Sequence, residues 1–430
     1  MKLLAGLARP SLSCGHSVRP RCERLAYAIG DAASCLAWNG VAAFLFASWL
    51  EWGLPAAVIG GILFAGQILT VFSDFLVGLL SDRGCRQGIG YRYWIRGSAV
   101  PIALALPTLF VVPGFVSGNG RIVLATICYV IFLIVYSCCS VPYSSLLKTM
   151  TDDPAERTSF SSWRMVGAFL GVFVVTTGLP LLIEVTASRI WALGIVSVVL
   201  CSGLLVASFG VVERNLSDAA PRSPASSRGE TASRIFWRTV FGRSFLRLFL
   251  IAVLFCAANG ARFGALAIYV VKSSDSLGAC AGGFACLTLA SALGAGCVSM
   301  FARRIGLPRV LVVAATAAAG TSAVFFLLGG PTRFALYLFL VVVEFFSGMM
   351  PVVCNVIVSS FADPCGDAAG RVFAIWGMTG KLGQGLASLT ISLSLMAWPG
   401  QTGASVALSI VPAVFLALIP LLLIGRRPHA

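Results

Sequence analysis

Apolar runs recur along the chain at roughly 26–50, 54–80, 95–116, 122–147, 161–185 and 189–212, then at 246–271, 277–302, 308–330, 333–361, 372–397 and 403–425. A hydrocarbon core of about 30 Å is crossed by about 20 apolar residues of helix, and each run is long enough. The pattern predicts an all-α integral membrane protein with twelve transmembrane helices in two six-helix bundles, 26–213 and 246–430. The stretch 214–245 between them is rich in Ser, Pro and Arg and reads as a flexible linker. Residues 1–25 read as a polar leader, because the apolar stretch from Leu3 to Ala8 is too short for a signal-peptide core.

Composition agrees with the pattern. Of 430 residues 58% are apolar and 11% charged, with a mean hydropathy of +0.93, outside the range of soluble domains. The net charge of +15 is unevenly placed. Arg and Lys number five in the leader, four around 83–96, six in the linker, three at 303–309 and two at the C-terminus, while the alternate connections hold Arg121, Arg189, Lys272 and Arg333. The positive-inside rule therefore places both termini and the linker in the cytoplasm of a multi-pass protein of the cell or inner membrane. It also accounts for the charge without nucleic acid, for which no recognition module is present. Most of the fourteen cysteines lie inside apolar runs as small hydrophobes, and the two histidines, His16 and His429, lie near the termini.

An ionisable side chain near mid-membrane costs about 2.5–3.5 kcal/mol on insertion scales, so each one needs a reason. The candidates are Asp31, Asp74, Arg164, Arg262, Glu344 and Lys381. Thr70 precedes Asp74 by four residues, so the two share a helix face. A carboxylate among hydroxyls can hold sodium through oxygen ligands, or a proton; the competing reading pairs Asp74 with a cation of a neighbouring helix. Arg164 and Lys381 come from opposite halves, where they could face a hydroxyl-rich or anionic substrate or pair with Asp31, Asp74 or Glu344. Arg262 with Asn259, and Asn39 and Gln67, are further cavity-facing candidates, and Glu344 could neutralise Arg262 or Lys381.

Two six-helix halves joined by a cytoplasmic linker are the layout of major facilitator transporters, whose halves rock about a midplane site. Gly78-Leu79-Leu80-Ser81-Asp82-Arg83, followed by Arg86, resembles the signature of that superfamily between spans two and three. The resemblance implies a gating role in which Asp82 and Arg83 hold the ends of the halves together in one state. An enzymatic reading has little support, because Gly377-Met378-Thr379-Gly380-Lys381 has the wrong glycine spacing for a phosphate loop and no strand before it.

Several segments together resemble the glycoside-pentoside-hexuronide cation symporters, the group that contains melibiose permease. They are Tyr27 to Ser34, Ser73 to Arg83, Tyr91 to Ile95, Val141 to Leu146, Thr151 to Thr158, Ser161 to Met165, Arg262 with Tyr269 and Lys272, Ala362-Asp363 with Gly370-Arg371, and Lys381 to Gly383. The resemblance implies that the family's helix-two cation acids fall on Thr70 and Asp74, only the second acidic here, and its helix-four cation ligand on Ser137. Its substrate residues fall on Cys35, Ser140 and Ser144, where melibiose permease has two acids and a stacking tryptophan, and its helix-five arginine and helix-eleven lysine are kept as Arg164 and Lys381.

The expected function is a cation-coupled symporter of a sugar, glycoside or uronate. The alternative is a transporter of a lysophospholipid or other anionic amphiphile, its headgroup met by Arg164 and Lys381. The coupling-cation residues are then Asp74, Thr70 and Ser137, and the substrate-binding residues Arg164, Lys381, Asp31, Arg262, Asn39 and Ser140. No cofactor is expected, the coupling ion is sodium or a proton, and the only metal expected is sodium at Asp74. The partners are a small-molecule substrate and the lipid bilayer, with the chain a monomer.

Overall fold

The structure, a computed structural model, describes residues 20–151, 153–214, 236–274, 279–329, 332–362 and 369–424. Most of the predicted leader and linker, together with Asp152 and Asp363, lie outside the described residues.

The first half contains α1 (Pro20–Glu51), α2 (Ala56–Arg86), α3 (Tyr91–Val111), α4 (Asn119–Met150), α5 (Pro154–Phe173), α6 (Leu179–Thr186) and α7 (Arg189–Gly210). A wide π turn over Val174–Gly178 joins α5 to α6 within one span; Pro180, with no N–H to give, sits just after it. The second half contains α8 (Arg243–Ser274), α9 (Ala279–Ile305), α10 (Leu307–Leu327), α11 (Arg333–Ala362), α12 (Ala369–Ala397), α13 (Gln401–Leu408) and α14 (Ile410–Ile424). The last two form one span broken at Ser409, where Pro412 cannot donate to the Leu408 carbonyl.

Eleven described segments are long and apolar enough to cross a membrane. The remaining long helix, α12, has 29 residues but carries Lys381, Gln384, Ser388 and Ser392 at helical spacing along one face. That face lies against the other half, so the twelfth span is polar on the side that never meets lipid. The fold is that of an all-helical membrane protein with twelve spans.

The halves repeat each other. The pairings α1 with α5, α1 with α7 and α3 with α4 recur as α8 with α12, α8 with α13 and α14, and α10 with α11. Gly88 and Gly306 take φ of 80° and 81° in the equivalent turns after α2 and α9, a region closed to most side chains. Close helix approach rests on small residues, as expected where lipid removes the hydrophobic drive between helices. A Cβ on Gly167 or Gly171 of α5 would strike the carbonyl oxygens of Ala28 or Ala32 of α1, and one on Gly294 of α9 or Gly348 of α11 would strike Phe345 or Ser291 across their interface.

Between the halves, α2 packs on α12, α1 on α8, and α9 on the region of the π turn. At the end away from the linker, Ser392 Oγ donates to the Ala56 carbonyl at 2.7 Å, and Gly60 lies against Ser392 and Ser388. From there the α2–α12 seam runs to Asp74 and Lys381 near mid-helix. Beyond that pair, toward the linker end, polar Ser144 of α4 and Asn355 of α11 are exposed. The α2–α12 seam is thus closed at the far end, while these polar groups stay exposed toward the linker end.

Gly171→Leu is expected to destabilise the first half by about 1–3 kcal/mol through overpacking, seen as a lower melting temperature in detergent. Gly61→Leu, at an exposed glycine whose Cβ would meet nothing within 4 Å, is the control expected to melt like the parent.

Candidate functional site

Asp74 lies where α2 crosses both α4 and α12. Its Oδ1 accepts from Ser137 Oγ of α4 at 2.6 Å, and its Oδ2 is ion-paired with Lys381 Nζ of α12. Ser73 Oγ lies 2.7 Å from Ser137 Oγ and donates to the Thr70 carbonyl at 3.1 Å. Thr70 shares the face of Asp74, as the spacing predicts, but its hydroxyl donates to Gly66 O one turn back at 2.8 Å, and its carbonyl faces Lys381 Nζ at 3.5 Å. The sequence reading did not single out Ser73, although it stands beside Asp74; only the register of α2 against α4 brings it to Ser137. Among the described ion pairs, Asp74–Lys381 is the one that joins the two halves. The pair keeps some access, with side-chain exposures of 27% and 20%.

The other membrane charges are matched within a half. Arg164 Nε of α5 donates to Asp31 Oδ1 of α1 at 3.0 Å, with its guanidinium over the Tyr143 ring at 5.8 Å. Tyr143 stacks on Tyr27 at 5.1 Å and donates its hydroxyl to the Tyr27 carbonyl, so this charge pair rests on a rigid aromatic floor. Arg262 of α8 is 0% exposed and Glu344 of α11 1%; Nε meets Oε1 at 2.7 Å, and Nη2 donates to Ser347 Oγ at 2.7 Å. Arg262 thus stands in the core of the second half and does not line the central cavity. Ser140 is half-buried, and its carbonyl accepts from Ser144 Oγ at 2.9 Å.

Asp82 accepts from the Tyr91 hydroxyl at 2.8 Å and so ties α2 to α3 inside the first half, while Arg83 is exposed. Among the described residues neither links the halves in this conformation. Two acids that the sequence reading passed over order the same end. Glu213 accepts from the Tyr91 N–H at 2.9 Å and Thr149 Oγ1 at 3.0 Å, capping the start of α3. Glu23, buried in α1, pairs with Arg214 at 2.5 Å. They stand at helix ends outside the apolar runs, where a charge draws no attention in a sequence.

A cavity of about 170 Å³ lies between the halves on the closed side of the Asp74–Lys381 pair. Trp38, Asn39 and Gln67 line it from the first half, and Asn259, Gln384 and Ser388 from the second; its described lining holds no charged side chain. Trp38 stacks on Tyr136 at 4.8 Å, Asn39 Nδ2 donates to the Cys35 carbonyl at 2.8 Å, and Gln67 Nε2 donates to the Tyr129 hydroxyl at 3.3 Å. Gln67 Oε1 and Asn259 Oδ1 are buried without a hydrogen-bond partner. Among the described residues no group of three or more His, Cys, Asp or Glu side chains could hold a metal ion. If Lys381 withdrew, Asp74 with the Ser137 and Ser73 hydroxyls would offer oxygens of the kind a hard monovalent cation takes.

Two helical halves with a polar cavity between them are the fold of the major facilitator class. Residues 26–424 match the family described as MFS/sugar transport protein, and the chain belongs to that family. It is 30% identical over 155 residues to the inner membrane symporter YicJ of Escherichia coli K12, covering 36% of this chain and 34% of that protein. It is 28% identical over 253 residues, 56% of this chain and 52% of the relative, to a candidate 2,3-dihydroxypropane-1-sulfonate exporter of the same organism. The chain thus spans about a third to a half of the length of the curated relatives it matches. The crystal structure of the nucleoside transporter NupG superposes with a TM-score of 0.67 at 15% identity, over 94% of this chain and 100% of that one.

Glu344→Gln leaves Arg262 charged and unpaired in the core, and is expected to cost about 3–5 kcal/mol of stability. The double change Arg262→Met with Glu344→Leu is expected to recover most of that loss in thermal melts, because apolar replacement of a buried pair is often neutral.

Proposed function

We propose that the chain is a cation-coupled symporter that moves a small sugar-type solute by alternating access, with Asp74 as the coupling carboxylate and Ser137 and Ser73 as its hydroxyl partners. The observation that carries this reading is the Asp74–Lys381 pair, which closes the seam between the halves at a carboxylate already held by a hydroxyl. One carboxylate and one ammonium sum to zero, so the pair leaves no net charge to attract a further cation. A sodium ion or a proton arriving at Asp74 competes with Lys381 for it, and its binding releases the α2–α12 seam. Binding of the coupling ion and motion of the halves are then one event.

The arginine distribution supports a cytoplasmic linker end, so the conformation described is the inward-facing one. The amphiphile reading rests on free cations at Arg164 and Lys381. Both are matched by carboxylates, Asp31 and Asp74, and the sugar reading is favoured on that ground.

Uptake of labelled sugars into proteoliposomes under an imposed sodium gradient, a proton gradient or neither tests the proposal. Accumulation is expected only with one of the gradients, and Asp74→Asn is expected to abolish it. Accumulation by Asp74→Asn equal to that of the parent would sink the assignment. Lys381→Gln removes the competing charge and is expected to tighten binding of the coupling cation at least about tenfold, since like charges a few ångströms apart interact by several kcal/mol in a partly buried site. The shift of melting temperature with added sodium, or with falling pH, reports that binding.

A further inference from the structure

The cavity between the halves differs from the charge clusters around it, and its lining indicates what it takes. Asp31, Asp74 and Glu344 are each joined to a cation, Arg164, Lys381 and Arg262, so these three pairs near mid-depth carry no net charge. The cavity wall itself holds amides, a serine and aromatic rings, and no described charge.

Two of its polar atoms stand out. Gln67 Oε1, from the first half, and Asn259 Oδ1, from the second, are buried acceptors without a donor. A buried acceptor left unpaired is costly, so a ligand that brings hydroxyl donors to both relieves both costs. A uronate or sulfonate also carries hydroxyls, but it brings a full negative charge that the described wall, with no charged side chain, does not offset. The third element is Trp38, which lines the cavity and is backed by Tyr136 at 4.8 Å and 30° between ring planes. A ring held rigidly from behind offers an apolar face at little entropic cost. Volume adds a limit, because about 170 Å³ lies below the roughly 300–1,000 Å³ of pockets for drug-sized ligands.

We infer that this cavity binds a single uncharged sugar ring, laid against the Trp38 indole, with hydroxyls donating to Gln67 Oε1 and Asn259 Oδ1 from opposite halves. The inference rests on the proposed sugar transport and narrows it, excluding uronates, sulfonates and disaccharides from tight binding. A ligand so placed ties α1 and α2 to α8, so its occupancy and the state of the seam are linked.

The test is calorimetric titration of the purified full-length chain in detergent with D-glucose, D-xylose, D-glucuronate, maltose, 2,3-dihydroxypropane-1-sulfonate and lysophosphatidylcholine. One of the neutral monosaccharides is expected to bind at least about tenfold more tightly than the other classes, the equivalent of one lost hydrogen bond or so. Trp38→Ala is expected to weaken it about tenfold and Trp38→Phe, which keeps a ring, by less. Gln67→Leu and Asn259→Leu, which fill the same space without the acceptor, are each expected to weaken it as well. Tighter binding of an anion, of maltose or of the lysolipid would overturn the inference, as would failure of both monosaccharides to bind, or unchanged affinity in Trp38→Ala with an unchanged melting temperature. The coupling proposal fails separately: monosaccharide binding with gradient-independent uptake defeats coupling and leaves this site standing, whereas gradient-driven uptake of the sulfonate does the reverse.

Discussion

A charge placed in hydrocarbon without a partner is too expensive to keep, and the interior of this protein is organised by that cost. Three acids and three cations lie in the described spans near mid-depth, and each acid has taken one cation: Asp31 with Arg164, Asp74 with Lys381, Glu344 with Arg262. The pairs differ in what surrounds them. Arg262–Glu344 is sealed in the second half, with Ser347 accepting from a further guanidinium N–H, and stands as part of the core. Arg164–Asp31 rests on the stacked Tyr27 and Tyr143 in the first half. Asp74–Lys381 alone among them spans the two halves.

That difference in setting separates structure from function. A pair locked inside one half moves with that half and cannot sense rocking. A pair across the seam would have to break for the halves to part, and in the proposed coupling the cation that replaces Lys381 at Asp74 sets when that happens. The Ser137 hydroxyl meets the same carboxylate and the Ser73 hydroxyl stands behind it, the oxygens that the proposed coupling uses.

Around this centre the helices approach by omission of side chains. Gly167 and Gly171 bring α5 onto the backbone of α1, and Gly294 and Gly348 do the same for α9 and α11. Van der Waals contact between backbones replaces the hydrophobic drive that lipid removes. The seam between halves uses the same device more sparingly: Gly60 meets Ser392, and Gly385 meets Phe64. Its face on α12 is built from Lys381, Gln384, Ser388 and Ser392, polar enough to slide and to hold water when the halves separate.

Hydropathy by itself determined the number and order of spans, because the length of apolar helix is dictated by the thickness of the bilayer and needs no tertiary information. Only α12 strained that rule, since its inner face answers to the cavity and not to lipid. The sequence also marked Asp31, Asp74, Arg164, Arg262, Glu344 and Lys381 as worth explaining, because a charge inside an apolar run is visible without a structure. Which charge met which was decided by helix register and packing: Lys381 lies 307 residues from Asp74, and no local spacing could join them. The same holds for Ser73, an ordinary serine until α4 sets Ser137 beside it, and for Glu213, which closes the start of α3 from the far end of the first half. The cavity was legible in part: Asn39, Gln67 and Asn259 stood out as polar residues within apolar runs and do line it, whereas Trp38 is one aromatic among many in the sequence. Only the folded arrangement leaves the Gln67 and Asn259 acceptor oxygens buried and without a donor.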